Sequence, residues 1–239
     1  MQIPRIYQNI TIEHSVTLSP EAIRHVVNVL RLTTGAPIIL FNGDNHEYFG
    51  ELEIRDKRTA LVHINNKIPH SRESPLKIHL AQGIARGEKM DFIIQKAVEL
   101  GVHEITPLFT ERCNVKLDAS RIIKRIEHWQ MVAISAAEQC GRNQITKIHA
   151  PSEIAQFVAT TLSEQKFILS HRAEQDLKSI AKTTSCTLLV GPEGGFAPHE
   201  LKMAEAQEFI PIVLGPRILR TETAALVAVS LLQSQLGDL

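Results

Sequence analysis

The chain has 239 residues, of which 44% are hydrophobic and 22% are charged, values that suit a folded protein and argue against a largely disordered one. Its 26 basic residues balance 26 acidic ones, so the net charge gives no sign of a strongly basic surface. The length allows one large domain, or a small domain joined to a medium one.

The cysteines and histidines give no metal-binding pattern. Cys113, Cys140 and Cys186 are far apart and form no CxxC pair, which argues against a disulfide framework and indicates a reducing compartment, the cytoplasm. The 11 histidines show no HExxH or similar spacing, so we expect no metal. No segment resembles a secretion signal or is long enough to span a bilayer, so we also expect no membrane partner.

The first 72 residues are predicted to be mostly strand. Residues 37–56 contain two strand-like runs around a turn signal at Asn42–Asn45, and residues 58–66 alternate apolar and polar side chains. The economical interpretation is a small β-barrel. The stretch 69–75 is polar and bounded by prolines, and we place the end of this domain there, after residue 72.

One helix is predicted to interrupt these strands. Ser19 suits the N-cap position and Pro20 the first helical position. The apolar residues that follow have helical spacing and are expected to form one buried stripe. They are Ile23, Val26, Val27 and Leu30.

From residue 73 the pattern changes to strands that alternate with helices, which is typical of a parallel α/β sheet covered by helices on both faces. Helices are predicted at 88–100, ended by Gly101, and at 119–140, ended before Gly141. Ligands of such sheets bind at the loops that follow the carboxyl ends of strands. The predicted strands are 76–82, 104–109, 145–149, 166–170, 186–190 and 210–214.

The last helix, TAALVAVSLLQSQL at residues 223–236, is apolar on nearly every side. A surface helix is expected to be apolar along one stripe only. Either this helix is buried within its own domain, or it covers the sheet with one face and a second copy of the chain with another.

A glycine-rich loop, Gly191–Phe196, follows the predicted strand 186–190. Its three glycines allow positive φ angles and the close approach of a ligand to the backbone, although a tight structural turn can have the same composition. The loop matches neither GxGxxG nor GxxxxGK[ST], so a dinucleotide or nucleoside-triphosphate site is not indicated.

A charged loop follows the predicted strand 210–214 and places Arg217, Arg220 and Glu222 between a buried strand and a buried helix. Charged side chains are costly there unless they are paired or functional. Thr221 and Glu222 also suit a helix N-terminus, and Arg220 could form an ion pair with Glu222 or with the glycine-rich loop.

Together these two loops carry a family resemblance. GPEGGF and LGPRILRTETA resemble the signature loops of the SPOUT (trefoil-knotted) methyltransferases, and more narrowly those of the 16S rRNA (uracil-1498-N3) methyltransferase family. The segments GEKMDFIIQKAVELGV, TERCNVKLD and AEQCGRNQ are similar to other blocks of that family, although NQITKI stands where the family has a proline. The N-terminal part resembles the family's PUA-like RNA-binding domain, so the resemblance covers nearly the whole chain.

The resemblance implies a fold, a cofactor and a partner. The fold is α/β, with a small PUA-like β-barrel at residues 1–72 and a knotted, parallel-sheet SPOUT domain at residues 73–239. The cofactor is S-adenosyl-L-methionine (SAM). The substrate is a uracil N3 in 16S rRNA of the small ribosomal subunit, and the enzyme is a homodimer.

The resemblance also implies roles for individual residues. Arg220 would stabilise negative charge on the uracil, and either Glu222 or Glu138 would accept the N3 proton, which the sequence does not decide. The SAM-binding positions implied by the motifs are Leu169, Ser170, Gly191, Glu193, Gly195, Leu214, Gly215, Ile218, Leu219, Arg220 and Thr223. The RNA-binding positions are Arg112, Arg121, Lys124, Arg125 and Arg142.

Two other functions fit less well. One is a knotted methyltransferase that acts on a tRNA guanine or a ribose hydroxyl, and the GEKMD and AEQCGR blocks favour the uracil family over it. The other is a non-catalytic RNA-binding module, which the intact GPEGGF and RTETA loops argue against.

Overall fold

A computed structural model describes residues 3–113, 119–175 and 180–239. The segment TERCNVKLD, one of those that carry the family resemblance, lies outside the described residues from position 114 to 118. The chain divides into two compact units, Met1–Glu73 with Ala137–Ile145, and Ser74–Ala136 with Thr146–Leu239. None of the described helices combines the length and the apolar character needed to cross a bilayer.

The first unit contains a five-stranded sheet. Its strands are β1 (Arg5–Tyr7), β2 (Ser15–Thr17), β3 (Pro37–Phe41), β4 (His46–Ile54) and β5 (Ala60–Pro69). They lie in the order β1–β3–β4–β5–β2, and every pair is antiparallel except β1–β3. The turn predicted at Asn42–Asn45 does connect β3 to β4, because its polar residues separate two runs that bury apolar side chains on one face.

The predicted helix is present as α1 (Pro20–Arg24), and the Ser19 hydroxyl accepts a hydrogen bond from the Ala22 N–H at 3.2 Å. A π-helical turn (His25–Val29) follows, closed by the Leu30 N–H on the His25 carbonyl at 2.9 Å. The wider turn rotates later residues away from the core. Leu30, expected in the buried stripe, is therefore exposed, whereas Ile23 and Val26 are buried as expected.

The second unit is built on a parallel sheet, as predicted. Its strands lie in the order β12–β10–β11–β6–β7–β8, with β9 beside β7, and all of their pairings are parallel. The strands are β6 (Lys77–Gly83), β7 (Glu104–Phe109), β8 (Lys147–Ile148), β9 (Ser152–Glu153), β10 (Gln165–Leu169), β11 (Ser185–Val190) and β12 (Ile210–Ile212). The loops after β6, β10, β11 and β12 consequently leave the sheet at one edge.

Helices connect these strands. They are α2 (Lys89–Glu99), α3 (Ala119–Cys140), α4 (Ile154–Thr160), α5 (Pro198–Ala206) and α6 (Thr221–Leu236). Helix α2 buries Met90, Ile93, Ile94 and Ala97 and ends before Gly101, whose φ of +80° suits glycine. The last residues of α3 and the loop after it belong to the first unit.

The apolar helix α6 is not buried on every side. Ala225, Val229 and Leu232 are fully buried, whereas Val227 and Leu231 are 36% and 38% exposed. Val227 and Leu231 are four residues apart and so share one helix face. The interpretation of α6 as a helix enclosed by its own domain is therefore wrong.

Candidate active site

The glycine-rich loop after β11 is folded back on itself. Gly195 has a φ of +64°, and its N–H donates to the Pro192 carbonyl at 2.8 Å. A Cβ atom on Gly191 would lie 3.0 Å from the Gly195 Cα, closer than real Cβ contacts usually come. Glycine is thus needed at 191 for close packing and at 195 for a left-handed backbone, and the loop presents main-chain atoms instead of side chains.

The charged loop meets the glycine-rich loop at its first residue. The Thr221 hydroxyl donates a hydrogen bond to the Gly191 carbonyl at 2.6 Å, and the Gln82 side-chain amide donates to Thr221 Oγ1 at 3.0 Å. Gln82 is fully buried and Thr221 is 6% exposed. The ends of two strands, β6 and β11, and the first residue of helix α6 are therefore joined at one buried point.

The loop after β10 completes this edge of the sheet. The Ser170 N–H donates to the Ile212 carbonyl at 3.0 Å, and the Val213 N–H donates to the Gln175 carbonyl at 2.9 Å. Because β10 lies between β11 and β12, residues 169–170 leave the sheet between the other two loops. The segments predicted to bind the cofactor come from adjacent strands.

One lysine joins the two loops electrostatically. Lys89 Nζ lies 3.4 Å from Glu193 Oε1 and 3.6 Å from Glu222 Oε2. Burial acts to raise the pKa of Glu193, but hydrogen bonds from its own N–H and the Arg86 N–H, together with Lys89, hold that pKa below its ordinary value. Lys89, rather than Arg220, is the ion-pair partner of both carboxylates.

Two buried oxygen atoms at this junction lack a hydrogen-bond donor within the described part of the chain. They are Gln82 Oε1 and Glu222 Oε2, although the second has Lys89 nearby. A buried acceptor without a donor is costly, so such atoms are suited to a ligand that carries N–H or cationic groups. The amino acid part of SAM carries an ammonium group, and the residues present therefore fit that cofactor.

The remaining predicted SAM-binding residues differ in exposure. Leu169, Ser170, Leu214 and Leu219 are half-buried, and Ile218 is 86% exposed. Gly215, Arg220 and Thr223 are exposed as well. Exposed and half-buried aliphatic side chains beside backbone groups provide an apolar surface on which an adenine ring can lie.

The loop after β7 is held against the start of α5. Glu200 is 2% exposed, and its two carboxylate oxygens accept hydrogen bonds from the Ala197 N–H at 2.7 Å and the Glu111 N–H at 2.8 Å. Arg112, predicted as an RNA contact, donates to the Gly194 carbonyl at 3.1 Å while remaining exposed. Arg112 is therefore placed directly beside the glycine-rich loop.

The other predicted RNA contacts divide into two groups. Arg121, Lys124 and Arg125 are exposed along α3. Arg142, in contrast, lies in the first unit with its side chain only 4% exposed, and its guanidinium forms an ion pair with Glu73 at 2.6 Å. In this structure the Arg142 guanidinium is held by the Glu73 carboxylate, and a role of Arg142 as an RNA contact stays a prediction.

Glu138, one of the two candidate bases, also lies in the first unit. Its carboxylate accepts a hydrogen bond from the Tyr7 N–H at 2.9 Å, beside the buried Arg5 side chain. Burial raises the pKa of Glu138 above its usual range, against the opposing effects of the Tyr7 N–H and of Arg5. Through these contacts Glu138 has a structural role, since it satisfies a backbone N–H of β1.

Sequence reasoning missed Gln82, Lys89 and Glu200 as members of the site. Gln82 had one available signal, since it is a polar residue at the carboxyl end of a buried strand. Lys89 lies in the GEKMD block that carries the family resemblance, although nothing in that block assigned it to the site. Glu200 had no signal, because glutamates near helix N-termini are common. Thr221 was noted as a possible cap, but Arg220 occupies the N-cap position, and the Thr221 hydroxyl binds the glycine-rich loop instead.

Comparison with known protein families gives two matches that together span most of the chain. Residues 72–233 match the family described as RNA methyltransferase domain, and residues 18–65 match the RNA methyltransferase PUA domain. Ribosomal RNA small subunit methyltransferase E of Buchnera aphidicola subsp. Schizaphis graminum is 40% identical, over 100% of this chain and 98% of that protein. The protein of the same name from Bacillus subtilis is 32% identical, over 92% of this chain and 90% of that protein.

Solved structures of methyltransferases are also similar to this chain over its whole length. A putative methyltransferase from Legionella pneumophila, in complex with bound SAM, is 43% identical with a TM-score of 0.98, and 100% of both chains align. Ribosomal RNA small subunit methyltransferase E from Neisseria gonorrhoeae, bound to S-adenosyl methionine, is 36% identical with a TM-score of 0.92, over 99% of both chains. The predicted combination of a PUA-like unit and a parallel-sheet methyltransferase unit is confirmed.

Proposed function

The chain belongs to the RNA methyltransferase family, and on that premise we propose that it transfers the methyl group of SAM to N3 of a uracil in 16S rRNA, the uracil-1498 position by resemblance. The observation that carries the proposal is the hydrogen bond between Thr221 and Gly191, which brings the two signature loops to one place. Relatives of this chain are named as small-subunit rRNA methyltransferases, and two similar structures hold SAM.

SAM supplies a methyl group on a positively charged sulfur, which a nitrogen nucleophile can attack directly. The pocket proposed for it is lined by three segments and by Thr223 on the first turn of α6. The segments contribute Leu169 and Ser170, then Gly191, Glu193 and Gly195, then Leu214, Gly215, Ile218, Leu219 and Arg220. Backbone groups of Gly191 and Gly195 would bind polar edges of the ligand, and the aliphatic side chains of the third segment would contact its ring. The buried Gln82 Oε1 atom would accept a hydrogen bond from one of its donors.

In the reaction the N3–C bond forms while the S–C bond breaks, and the N3 proton must leave because a neutral imide nitrogen is a poor nucleophile. Arg220 is exposed at the N-cap of α6, where its cation can lie beside a uracil carbonyl and stabilise the developing negative charge. Glu222 Oε2 is the proposed proton acceptor, because Glu138 is already engaged with the Tyr7 N–H in the first unit.

We place RNA binding on both parts of the chain. Residues 1–72 would act as the PUA-like RNA-binding domain, and residues 73–239 as the knotted methyltransferase domain. Arg112 beside the glycine-rich loop, with Arg121, Lys124 and Arg125 along α3, would contact phosphates and position the RNA without reading its sequence. The substrate is the rRNA of the small subunit, which places the enzyme in the cytoplasm.

A homodimer is supported by the outer face of α6. Val227 and Leu231 are exposed there one turn apart, and Phe92 on the neighbouring helix α2 is 45% exposed. Exposed apolar side chains that share one helix face, as Val227 and Leu231 do, commonly mark an interface. A two-fold axis beside α6 would cover these side chains with the same residues of a second copy.

The test of the proposed chemistry compares Arg220→Ala with Arg217→Ala, two exposed arginines of the same loop. We expect Arg220→Ala to lower the turnover of rRNA methylation by roughly 10²–10³-fold, with folding nearly unchanged, because charge stabilisation in the transition state is lost. Arg217→Ala should stay close to the parent enzyme. Near-normal turnover in Arg220→Ala would refute its assigned role.

The substrate is tested separately, in cells that lack the gene. Mass mapping of 16S rRNA from these cells should show one N3-methyluridine missing, and re-expression of the parent chain should restore it. Survival of every N3-methyluridine would overturn the substrate, while a saturable SAM titration of the purified chain would still support a methyltransferase acting elsewhere.

A further inference from the structure

A second site lies in the parallel-sheet unit, around a cavity of about 570 Å³. The cavity is lined by residues from the amino ends of several strands, among them Lys77, Glu104 and Ser185. The cofactor loops leave the opposite, carboxyl ends of the same strands. His79 at the cavity and Gly83 at the carboxyl end of β6 are four residues apart, which corresponds to roughly 13 Å along a strand. The cavity is therefore separate from the proposed SAM pocket.

The sheet register brings three metal-ligating side chains to this cavity. His79 on β6 pairs directly with Glu104 on β7, so their side chains project from the same face. Glu104 pairs in turn with Lys147 on β8, and His149 follows two residues later on that face. All three residues line the cavity.

The ligand atoms of these three residues lie within 4.8 Å of one another. His149 Nε2 is 2.5 Å from Glu104 Oε2, and the His79 and His149 rings are 5.5 Å apart. A tetrahedral zinc ion, with bonds of about 2.0–2.2 Å to nitrogen and oxygen, requires ligand atoms roughly 3.4 Å apart. Small side-chain rotations, with the ion replacing the His149–Glu104 hydrogen bond, are enough to reach that spacing.

We propose that His79, Glu104 and His149 form a binding site for a divalent transition-metal ion, with Zn²⁺ as the preferred occupant. A ligand set of two imidazole nitrogens and one carboxylate oxygen suits zinc better than magnesium or calcium, because magnesium and calcium prefer ligand sets made of oxygen atoms only. Three protein ligands leave a fourth position open. The cavity gives that position access to water or to a small anionic ligand, so the site departs from the sequence expectation of no metal.

The surroundings support the ligand role of His79. Its Nε2 is 2.8 Å from Thr106 Oγ1, and the Phe157 ring packs edge-on against the imidazole at 5.2 Å between centroids. Such outer contacts fix the ring orientation of metal-binding histidines.

The experiment is a metal titration of the full-length chain after removal of any affinity tag and dialysis against a chelator. Calorimetry with Zn²⁺ should give one site per chain with a dissociation constant on the order of micromolar or tighter. Co²⁺ should give a visible absorption band of the intensity found for four- or five-coordinate nitrogen and oxygen sites. Zn²⁺ should also raise the melting temperature, because it binds the folded state.

Three variants locate the site. His149→Gln should abolish saturable binding in the same concentration range, and Thr106→Val should weaken it by roughly 10-fold through loss of ring orientation. His103→Gln, which alters a histidine of the same cavity outside the three ligands, is the matched control and should bind like the parent. SAM affinity should be unchanged in all three, because the cavity lies away from the cofactor loops.

The proposal is overturned if the parent chain shows no saturable binding, or if His149→Gln binds as the parent does. Equal losses in His103→Gln and His149→Gln would also overturn it, since they would indicate unspecific binding to cavity histidines. If His149→Gln does not fold, Glu104→Gln replaces it, with the same expected loss of Zn²⁺ binding. Thr106→Val keeps all three ligands and so tests the site without removing any of them.

Discussion

The Thr221 hydroxyl lies 2.6 Å from the Gly191 carbonyl oxygen, although the two residues are 30 positions apart in the chain. The same hydroxyl accepts a hydrogen bond from the Gln82 amide, so one buried oxygen atom fastens the glycine-rich loop, the end of β6 and the first turn of α6. The geometry of the proposed SAM pocket depends on this oxygen.

Replacing Thr221 with valine should therefore damage both stability and cofactor binding. Valine has the same shape but removes the hydroxyl, so the Gly191 carbonyl keeps only the longer hydrogen bond from the Gln82 amide, at 3.4 Å, and that amide keeps the Gly83 carbonyl as its main acceptor. Weakening the hydrogen bonding of buried groups in this way costs about 1–3 kcal/mol. We expect a lower free energy of unfolding in urea and a weaker calorimetric affinity for SAM. Thr221→Ser keeps the hydroxyl and should remain close to the parent chain. Equal SAM affinities in Thr221→Val and the parent would show that the loops hold their positions without this bond.

Lys89 links the same two loops through ion pairs with Glu193 and Glu222. Lys89→Gln removes the cation between Glu193 and Glu222, leaving two carboxylates from different loops to repel each other. SAM affinity should fall several-fold at low salt, and the difference from the parent should shrink in 0.5 M NaCl, because salt screens partly exposed charges. Calorimetry at two salt concentrations measures the effect.

The control for this experiment is on the same helix. Lys96 lies about two turns beyond Lys89 on α2 and forms an ion pair with Glu99 at 2.7 Å, so Lys96→Gln should leave SAM affinity unchanged at both salt concentrations. A loss in Lys96→Gln equal to that in Lys89→Gln would mean that the net charge of the protein, and not the position of Lys89, is responsible.

The fold could be predicted from the sequence much better than the contacts within the site. The longer strands of the parallel sheet are local apolar runs, and the strands observed at Glu104–Phe109 and Ser185–Val190 lie within one residue of their predictions. The two-residue strand Ser152–Glu153 has no such run and was not predicted. The two signature loops were also recognisable, because glycine and charged residues interrupt apolar segments.

Contacts that depend on register or on distant partners were not predictable. Gln82 meets Thr221 across 139 positions, and nothing near either residue indicates the other. His79, Glu104 and His149 have no sequence spacing in common, and only the pairing of β6, β7 and β8 aligns them. The contact of Arg142 with Glu73 was not predictable for the same reason, since the two residues lie 69 positions apart.

Glu138 gives a prediction that separates a structural role from a catalytic one. Glu138→Gln can still accept the Tyr7 N–H through its amide oxygen but carries no charge. We expect methylation to be largely retained, since Glu222 is the proposed base. Loss of turnover with unchanged stability would make Glu138 the base instead.

The pH dependence of stability follows from the raised pKa of Glu138, which burial causes against the opposing Tyr7 N–H and Arg5. A carboxyl group whose folded pKa exceeds its unfolded value binds its proton more tightly in the folded state. Its contribution to stability is present below the unfolded pKa and is lost as the pH rises through the folded pKa. Urea unfolding should therefore show Glu138→Gln gaining stability relative to the parent between pH 4.5 and pH 7.5. A constant difference across that range would contradict the assignment.

The proposed homodimer makes the outer face of α6 the most informative surface to change. Leu231 is 38% exposed in the single chain, so a charge there is tolerated by the monomer but would be buried unpaired in a dimer. Leu231→Glu should therefore shift the mass measured by light scattering from two chains to one, with little change in circular dichroism. Gln156→Glu adds the same charge at an exposed position on α4, a helix that packs against α5, and serves as the control. A parent chain that is monomeric at micromolar concentration, or a Leu231→Glu variant that stays dimeric, would remove α6 from the interface.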